Sequence, residues 1–270
     1  MNRLALSLIL LITSLSTAFG QYKYSEQAFK DGEKLVYNVA YKWSFINKEV
    51  ATATFDVKAQ EYHGKPSYLV SARATVSGSF SWFFDLDDRY TSILDGSTLL
   101  PLESTAEISE NKYRFSSRYI YDWNKKNVTT YARKHSKPDT VVRNMPLTPE
   151  SFDALGIFYN LRSTDMDKLH EGSTLELVLE DTIRKVKYSY LGREVKKVPR
   201  LGTFNTLKFS CELATTSGES FDDGDEFFMW VSDDKNKIPL YFESPIRVGR
   251  VRAYIDRVEN LKYPLSSKIK

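Results

Sequence analysis

Cysteine is almost missing from this chain. Cys211 is the only one in 270 residues, so no intramolecular disulfide can staple the fold, and a core must hold it. Histidine is nearly as scarce. His63, His135 and His170 are scattered through polar, turn-like stretches with no ligand spacing, and no metal site can be assembled from them. No Gly-x-Ser-x-Gly elbow, phosphate loop or dinucleotide fingerprint occurs, so no cofactor is expected. An excess of one charge is also lacking. With Arg3 set aside as part of a leader, 37 basic residues face 35 acidic ones, both signs are interspersed, and the basic stripe of a nucleic-acid binder is missing.

The one long apolar run lies at the start. Arg3 precedes an apolar stretch from Leu4 to Leu15, and Ala18-Phe19-Gly20 supplies small residues for cleavage. This layout predicts a secretory signal peptide over 1–20, with the exported chain beginning at Gln21. The run is too short for a transmembrane anchor. No cysteine near the cleavage site could receive a lipid.

What the rest does have is period-two alternation. Leu35, Tyr37, Val39, Tyr41 and Trp43 oppose Lys34, Asn38, Lys42 and Ser44. Ala51, Ala53, Phe55, Val57 and Ala59 oppose Thr52, Thr54, Asp56 and Lys58. Tyr68, Val70, Ala72, Ala74 and Val76 continue the pattern, with similar runs at 113–121, 127–133, 174–180, 184–191, 205–213, 226–231 and 249–258. Such alternation predicts antiparallel strands with one wet and one buried face. Turn chemistry separates them at His63-Gly64-Lys65-Pro66, Asp95-Gly96, Asp222–Asp225 and Asp233–Asn236. The expectation is a mainly β fold: one antiparallel meander over 21–270, a single domain curled into a barrel or half-barrel.

One helix is expected to interrupt it. Thr148-Pro149-Glu150 reads as a start, and Phe152, Leu155, Phe158, Tyr159 and Leu161 form an apolar stripe that must lie against the sheet or plug its end. Cys211 alternates with Lys208, Ser210 and Glu212 on an inward strand face, which predicts a buried structural thiol. Asp222, Asp223 and Asp225 lack the spacing of a calcium loop and read as an acidic turn. Asn127-Val128-Thr129 is formally a glycosylation sequon inside a strand-like run.

The stretch from Gly78 to Tyr90 sets Phe80, Trp82, Phe83 and Phe84 before Asp85, Asp87 and Asp88. Two readings stay open. The aromatics can be core residues, with Asp88 and Asp95 organising turns, or the carboxylates can do acid–base work on an aromatic floor. Here the sequence resembles a family. The run Trp82-Phe83-Phe84…Asp88-Arg89-Tyr90…Asp95…Leu100-Pro101 resembles the bacterial envelope family catalogued as domain of unknown function 3108. So do Gly32–Tyr37, the helix from Phe152 to Arg162, and Ile238-Pro239-Leu240…Val248–Val251. The resemblance implies a bacterial exported protein, in the periplasm or cell envelope of a Gram-negative organism, and supplies no catalytic residue.

Function is expected to follow from space inside the sheet. Ala51, Ala53, Ala59, Ala72 and Ala74 are small and face inward, leaving volume to be filled by aromatic neighbours or by an apolar, lipid-like ligand. Candidate ligand-binding residues are Trp43, Phe55, Trp82, Phe84, Tyr159 and Trp230. Two alternatives are a hydrolase of envelope glycans acting through Asp85, Asp87 or Asp88, and a structural partner of other envelope proteins.

Overall fold

A computed structural model describes residues 26–43, 46–76, 78, 81–82, 84–214, 226–245 and 249–269. The expected leader, the Asp222–Asp225 turn, Phe80 and Phe83 lie outside the described residues, as does the side chain of Trp43.

Among the described residues, fifteen strands form one sheet in the order β8-β7-β6-β5-β4-β3-β2-β1-β15-β14-β13-β12-β11-β10-β9. The first arm comprises β1 (Lys34–Trp43), β2 (Ile46–Tyr62), β3 (Lys65–Val76), β4 (Asp87–Asp95), β5 (Pro101–Glu110), β6 (Tyr113–Asp122), β7 (Asn127–Lys134) and β8 (Val141–Pro146). The second comprises β9 (Ser151–Phe152), β10 (Ser173–Leu179), β11 (Thr182–Val198), β12 (Gly202–Leu213), β13 (Glu226–Ser232), β14 (Pro239–Pro245) and β15 (Arg250–Glu259). Each arm is an antiparallel meander, and β1 pairs with β15 to weld them, Lys34 opposite Glu259. Only β9 runs parallel to its neighbour, with Ser151 opposite Glu176. The His63-Gly64 turn holds both residues at positive φ, 51° and 74°, as the β2–β3 connection requires.

Topology explains the curl. Laid flat, fifteen strands would hold β8 and β9 ~65 Å apart, since neighbours sit ~4.8 Å apart. Those edges are joined by residues 147–150 alone, which span at most ~18 Å. The sheet must therefore wrap round. Its edges approach through Tyr119, Tyr121, Val128 and Leu147 of one arm packed with Val178 of the other, and Tyr119 Oη accepts the Glu180 amide at 2.7 Å. The sheet stays open, because no ladder joins β8 to β9.

Helix α1 (Ala154–Ser163) fills the interior. Its start differs from the expected one. Thr148-Pro149-Glu150 forms a turn and Ser151-Phe152 pairs with β10, so the cap falls on Asp153, whose carboxylate accepts the Leu155 and Gly156 amides at 2.9 and 3.0 Å. Leu155 and Tyr159 pack against Val57, Val70 and Leu94 of the first arm. Ile157 and Leu161 pack toward Leu175, Leu207 and Phe209 of the second. A helix apolar on two sides can only sit between two sheet faces. A second helix, α2 (Met166–Glu171), follows; with Leu169 its one buried residue, it is too short to show a period in the sequence.

Five strands lacked a clear alternation: β4, β5, β8, β14 and the two-residue β9. In β4 and β5 the inward positions include Asp88, Ser92, Ser104 and Glu110, polar residues that break the pattern. The sequence reading of Asp88 as a turn residue is corrected accordingly: it is 6% exposed within β4 and accepts the Ser109 amide at 3.0 Å. Asp95 does organise its turn, accepting from the amides and hydroxyls of Ser97 and Thr98.

Candidate functional site

The volume inside the sheet is not where the small residues predict it. Beside β2 and β3, Ala53 and Ala72 are packed under Phe55, Tyr68, Tyr90, Phe158 and Tyr159. Phe55 stacks on Phe158 with ring centroids 4.9 Å apart, and Phe29 meets Tyr159 edge to face at 4.8 Å. Aromatics brought in by α1 fill the space left by the alanines.

A cavity of about 170 Å³ opens instead on the other side of α1, between the helix and β10–β14. Ile157 and Leu161 form one wall; Tyr188, Cys211, Phe227 and Met229 are among the strand residues opposite. Cys211 is 4% exposed, as its alternation predicts, and burial together with the nearby Glu226 charge pushes its thiol up to about 12, leaving it inert. On β13, Phe227, Met229 and Val231 share the face that lines the cavity, so it follows the strand for ~13 Å at ~3.3 Å per residue. Lys237, in the β13–β14 connection, stands at the end beyond Val231.

Two cations mark that end, in different ways. Arg162 is 1% exposed and grips Glu33 with both terminal nitrogens, at 2.6 and 3.0 Å, while its Nε donates to the Asn236 carbonyl at 3.1 Å. Burial works against its charge, but the Glu33 carboxylate outweighs it and the guanidinium stays ionised. Lys237 is 8% exposed and its ammonium donates to the Thr164 carbonyl at 2.5 Å, at the carbonyl end of α1. Burial lowers its pKa, partly offset by Asp165. Among the described residues no carboxylate lies within ion-pair distance of it.

The opposite side of α1 is polar. Ser92 donates to the Asp153 carboxylate at 2.7 Å, and Ser104, Ser117, Tyr119, Tyr121 and Thr130 extend a buried hydroxyl lane across β5–β7. Burial raises the Asp153 carboxyl against the bonds it accepts. Nearer the sheet's rim, Asp88 and Glu110 face each other. Burial raises both, and each hydrogen-bonds the other, so the pair favours sharing one proton.

The candidates read from sequence fall in several places. Phe55 and Tyr159 belong to the aromatic packing under α1, and Trp230 lies on the strand face opposite Met229, edge to face with Tyr241 at 5.4 Å. None of Phe55, Trp82, Phe84, Tyr159 or Trp230 lines the cavity. The expectation that Trp82 is a core residue is overturned: it is 84% exposed, in the β3–β4 connection. Phe84 is half-buried. The aspartates diverge. Asp85 is exposed, Asp88 turns inward, and Asp87 turns outward between Arg73 and Arg89 at 2.8 Å each, which hold its carboxyl at about 2. Sequence reasoning missed Ile157, Leu161, Met229 and Lys237. The alternation of Phe227, Met229 and Val231 was visible, but nothing in it distinguishes a cavity wall from a filled core.

A family profile for proteins of unknown function, DUF3108, matches residues 36–256. The chain belongs to this family. Among solved structures, a β-barrel-like protein of the unknown-function family DUF1849 from Brucella abortus is similar in fold, with TM-score 0.57 and 8% identity over 87% of this chain and 100% of that one. A Bacteroides fragilis protein with a YmcC-like fold aligns over 86% of this chain and 97% of its own, at 10% identity and TM-score 0.41. No curated protein sequence matches the chain. This DUF3108 member shares a curled, barrel-like sheet with its Brucella neighbour, and the likeness extends to fold alone. No helix among its described residues is long and apolar enough to cross a membrane.

Proposed function

We propose that this DUF3108 protein is a non-enzymatic binding module that takes up a small apolar molecule, or the apolar part of a larger one, in the exported space implied by its leader. The observation that carries the reading is the cavity beside α1. Its wall is built from Ile157, Leu161, Phe227 and Met229, and its volume matches the ~150 Å³ apolar cavities that take up benzene-sized guests. Close packing is the norm in protein interiors, so an apolar void that size beside a well-anchored helix is a feature to be filled. The glycan-hydrolase reading through Asp85, Asp87 or Asp88 is less favoured, because these three side chains diverge and do not face one another across a cleft.

The test is native mass spectrometry of the chain purified without detergent. The expected result is a mass above that of residues 21–270, with an apolar species released on organic extraction. A bare polypeptide mass, together with no binding of short alkanes or aromatic hydrocarbons by the extracted protein, would sink the reading.

A further inference from the structure

The cavity beside α1 has a direction. Three cross-strand rows build its strand wall: Cys211 beside Phe227, then Met229 beside Phe242, then Val231 beside Pro239. These rows cover ~13 Å of β13 at ~3.3 Å per residue. On the other wall, α1 contributes Ala154, then Ile157, then Leu161 and Arg162, a rise of ~12 Å at ~1.5 Å per residue. Hydrogen bonds fix which ends coincide. Lys237 donates to the Thr164 carbonyl and Arg162 Nε to the Asn236 carbonyl. The last turn of α1 therefore lies at the Val231 row, and its first turn at the Phe227 row.

Exposure follows the same axis. At the Val231 end, Val231, Pro239, Arg162 and Lys237 are all buried. At the Phe227 end, among the described residues, Ala154 is exposed, and Phe227 and Val186 are half-buried. The slot is closed at one end and opens at the other. The closed end also has no charge to spare. Arg162 is matched by Glu33, and the Lys237 ammonium is bonded to the Thr164 carbonyl, with Asp165 near enough to support its charge. A polar head group driven to that end would lose its water without gaining an unengaged partner.

From this axis we propose that the slot takes one unbranched alkyl or acyl chain, tail first, with its polar head left in solvent beside Ala154 and Phe227. A chain is specified by shape. The cavity of about 170 Å³ holds only ~6 groups of water-like bulk, yet it runs past all three rows. A chain laid along β13 touches every row, whereas a compact ring touches part of the length and leaves the rest void, and each missing contact forfeits dispersion energy. This ligand class rests on the apolar-binding reading and adds shape and orientation to it.

The experiment measures binding of alkyl maltosides by calorimetry, below their micelle concentrations. The disaccharide head stays constant through the series and is too bulky to enter the slot. Affinity should rise about four-fold per added methylene up to roughly the octyl chain, then level off through decyl and dodecyl once the slot is full. Octyl maltoside should bind at least about ten-fold more tightly than 2-cyclohexylethyl maltoside, which carries the same number of tail carbons partly closed into a ring. Ala154→Trp, at an exposed position on the mouth, should weaken octyl maltoside at least about ten-fold with no loss of melting temperature, whereas Ala154→Ser should bind like the parent. Equal or tighter binding of the cyclohexyl compound, affinity climbing unbroken to dodecyl, or full binding by Ala154→Trp overturns the chain and its orientation while leaving apolar binding intact. Binding of octane or benzene without any maltoside does the same, because the slot then admits no tethered head. No binding of maltosides or of hydrocarbons overturns both.

Discussion

The two faces that clasp α1 solve the same packing problem differently. Toward the first arm, Leu155 and Tyr159 enter a filled aromatic core, and the remaining inward positions are hydroxyls gathered round Asp153. Toward the second arm the wall is almost wholly apolar and leaves a void. The polar face is the demanding one, because each buried hydroxyl must find a partner or cost free energy. Ser92 meets that demand by donating to Asp153, and Ser117 by donating to Tyr119, so the polar contacts that position the helix are few and specific. An apolar wall is undemanding by comparison and can tolerate space. One side fixes the helix, and the other leaves a void.

The Glu33–Arg162 pair fastens the helix between the faces, and breaking it should produce the largest effect. Glu33→Ala leaves a guanidinium buried without its counter-ion, which typically costs ~3–5 kcal/mol. Denaturant unfolding should show that loss. A change under ~1 kcal/mol would mean that the helix is held by its apolar contacts alone.

The contrast itself is sharpened by two substitutions on adjacent helix faces. Leu155→Ala, on the filled side, should cost ~2–5 kcal/mol as a cavity forms in packed surroundings. Ile157→Phe, on the open side, should hold stability or raise it by ~0.5–2 kcal/mol by filling space, while abolishing uptake of the apolar guest. If Ile157→Phe destabilises as much as Leu155→Ala does, the two sides are equally packed and the void is not a usable site.

The same contrast explains what could be read from sequence. Strands β1–β3, β6, β7, β10–β13 and β15 announced themselves because their inward residues are apolar and their outward ones polar. Strands β4 and β5 did not, since inward Asp88, Ser92, Ser104 and Glu110 erase the alternation that marks a strand. The helix was legible from its stripe but not its start, because Ser151 and Phe152 are claimed by β10 through pairing four residues of linker cannot foretell. The site was the least legible part. Inward alanines on β2 and β3 suggested volume, yet α1 delivers Phe158 and Tyr159 to that side, a tertiary fact invisible to strand periodicity.

A smaller effect separates the polar face by pH. Asp88 and Glu110 both have raised folded pKa values, so their shared-proton form stabilises the fold at acid pH. That contribution is complete below the ordinary carboxylate range and is lost as pH rises through the raised folded values. Asp88→Asn can still accept the Ser109 amide but removes the repulsion. It should raise the melting temperature at pH 7, leave it nearly unchanged at pH 4, and flatten the profile between them. Asp87 has the opposite sign. Its lowered pKa stabilises above the ordinary range and the benefit is lost toward pH 2, but the pair is solvent-exposed and worth under ~1 kcal/mol.

The smallest expected effect is at Trp82. Alternation alone put it in the core beside Trp230, and the structure separates the two. Trp230 is 5% exposed, with its ring edge to face with Tyr241 and the Lys196 ammonium 3.3 Å from its centroid. Truncating such a residue removes packed contacts and a cation–π partner, and Trp230→Ala should cost ~3–5 kcal/mol. Trp82 sits at 84% exposure in a connection, so its indole is nearly as hydrated folded as unfolded, and Trp82→Ala should stay within ~0.5 kcal/mol of the parent. Because folding does not bury Trp82, any large consequence of losing it must appear in binding rather than in stability. Thermal unfolding of both variants decides the matter: a Trp82→Ala loss approaching that of Trp230→Ala would restore the tryptophan to the core and place the β3–β4 connection against the sheet.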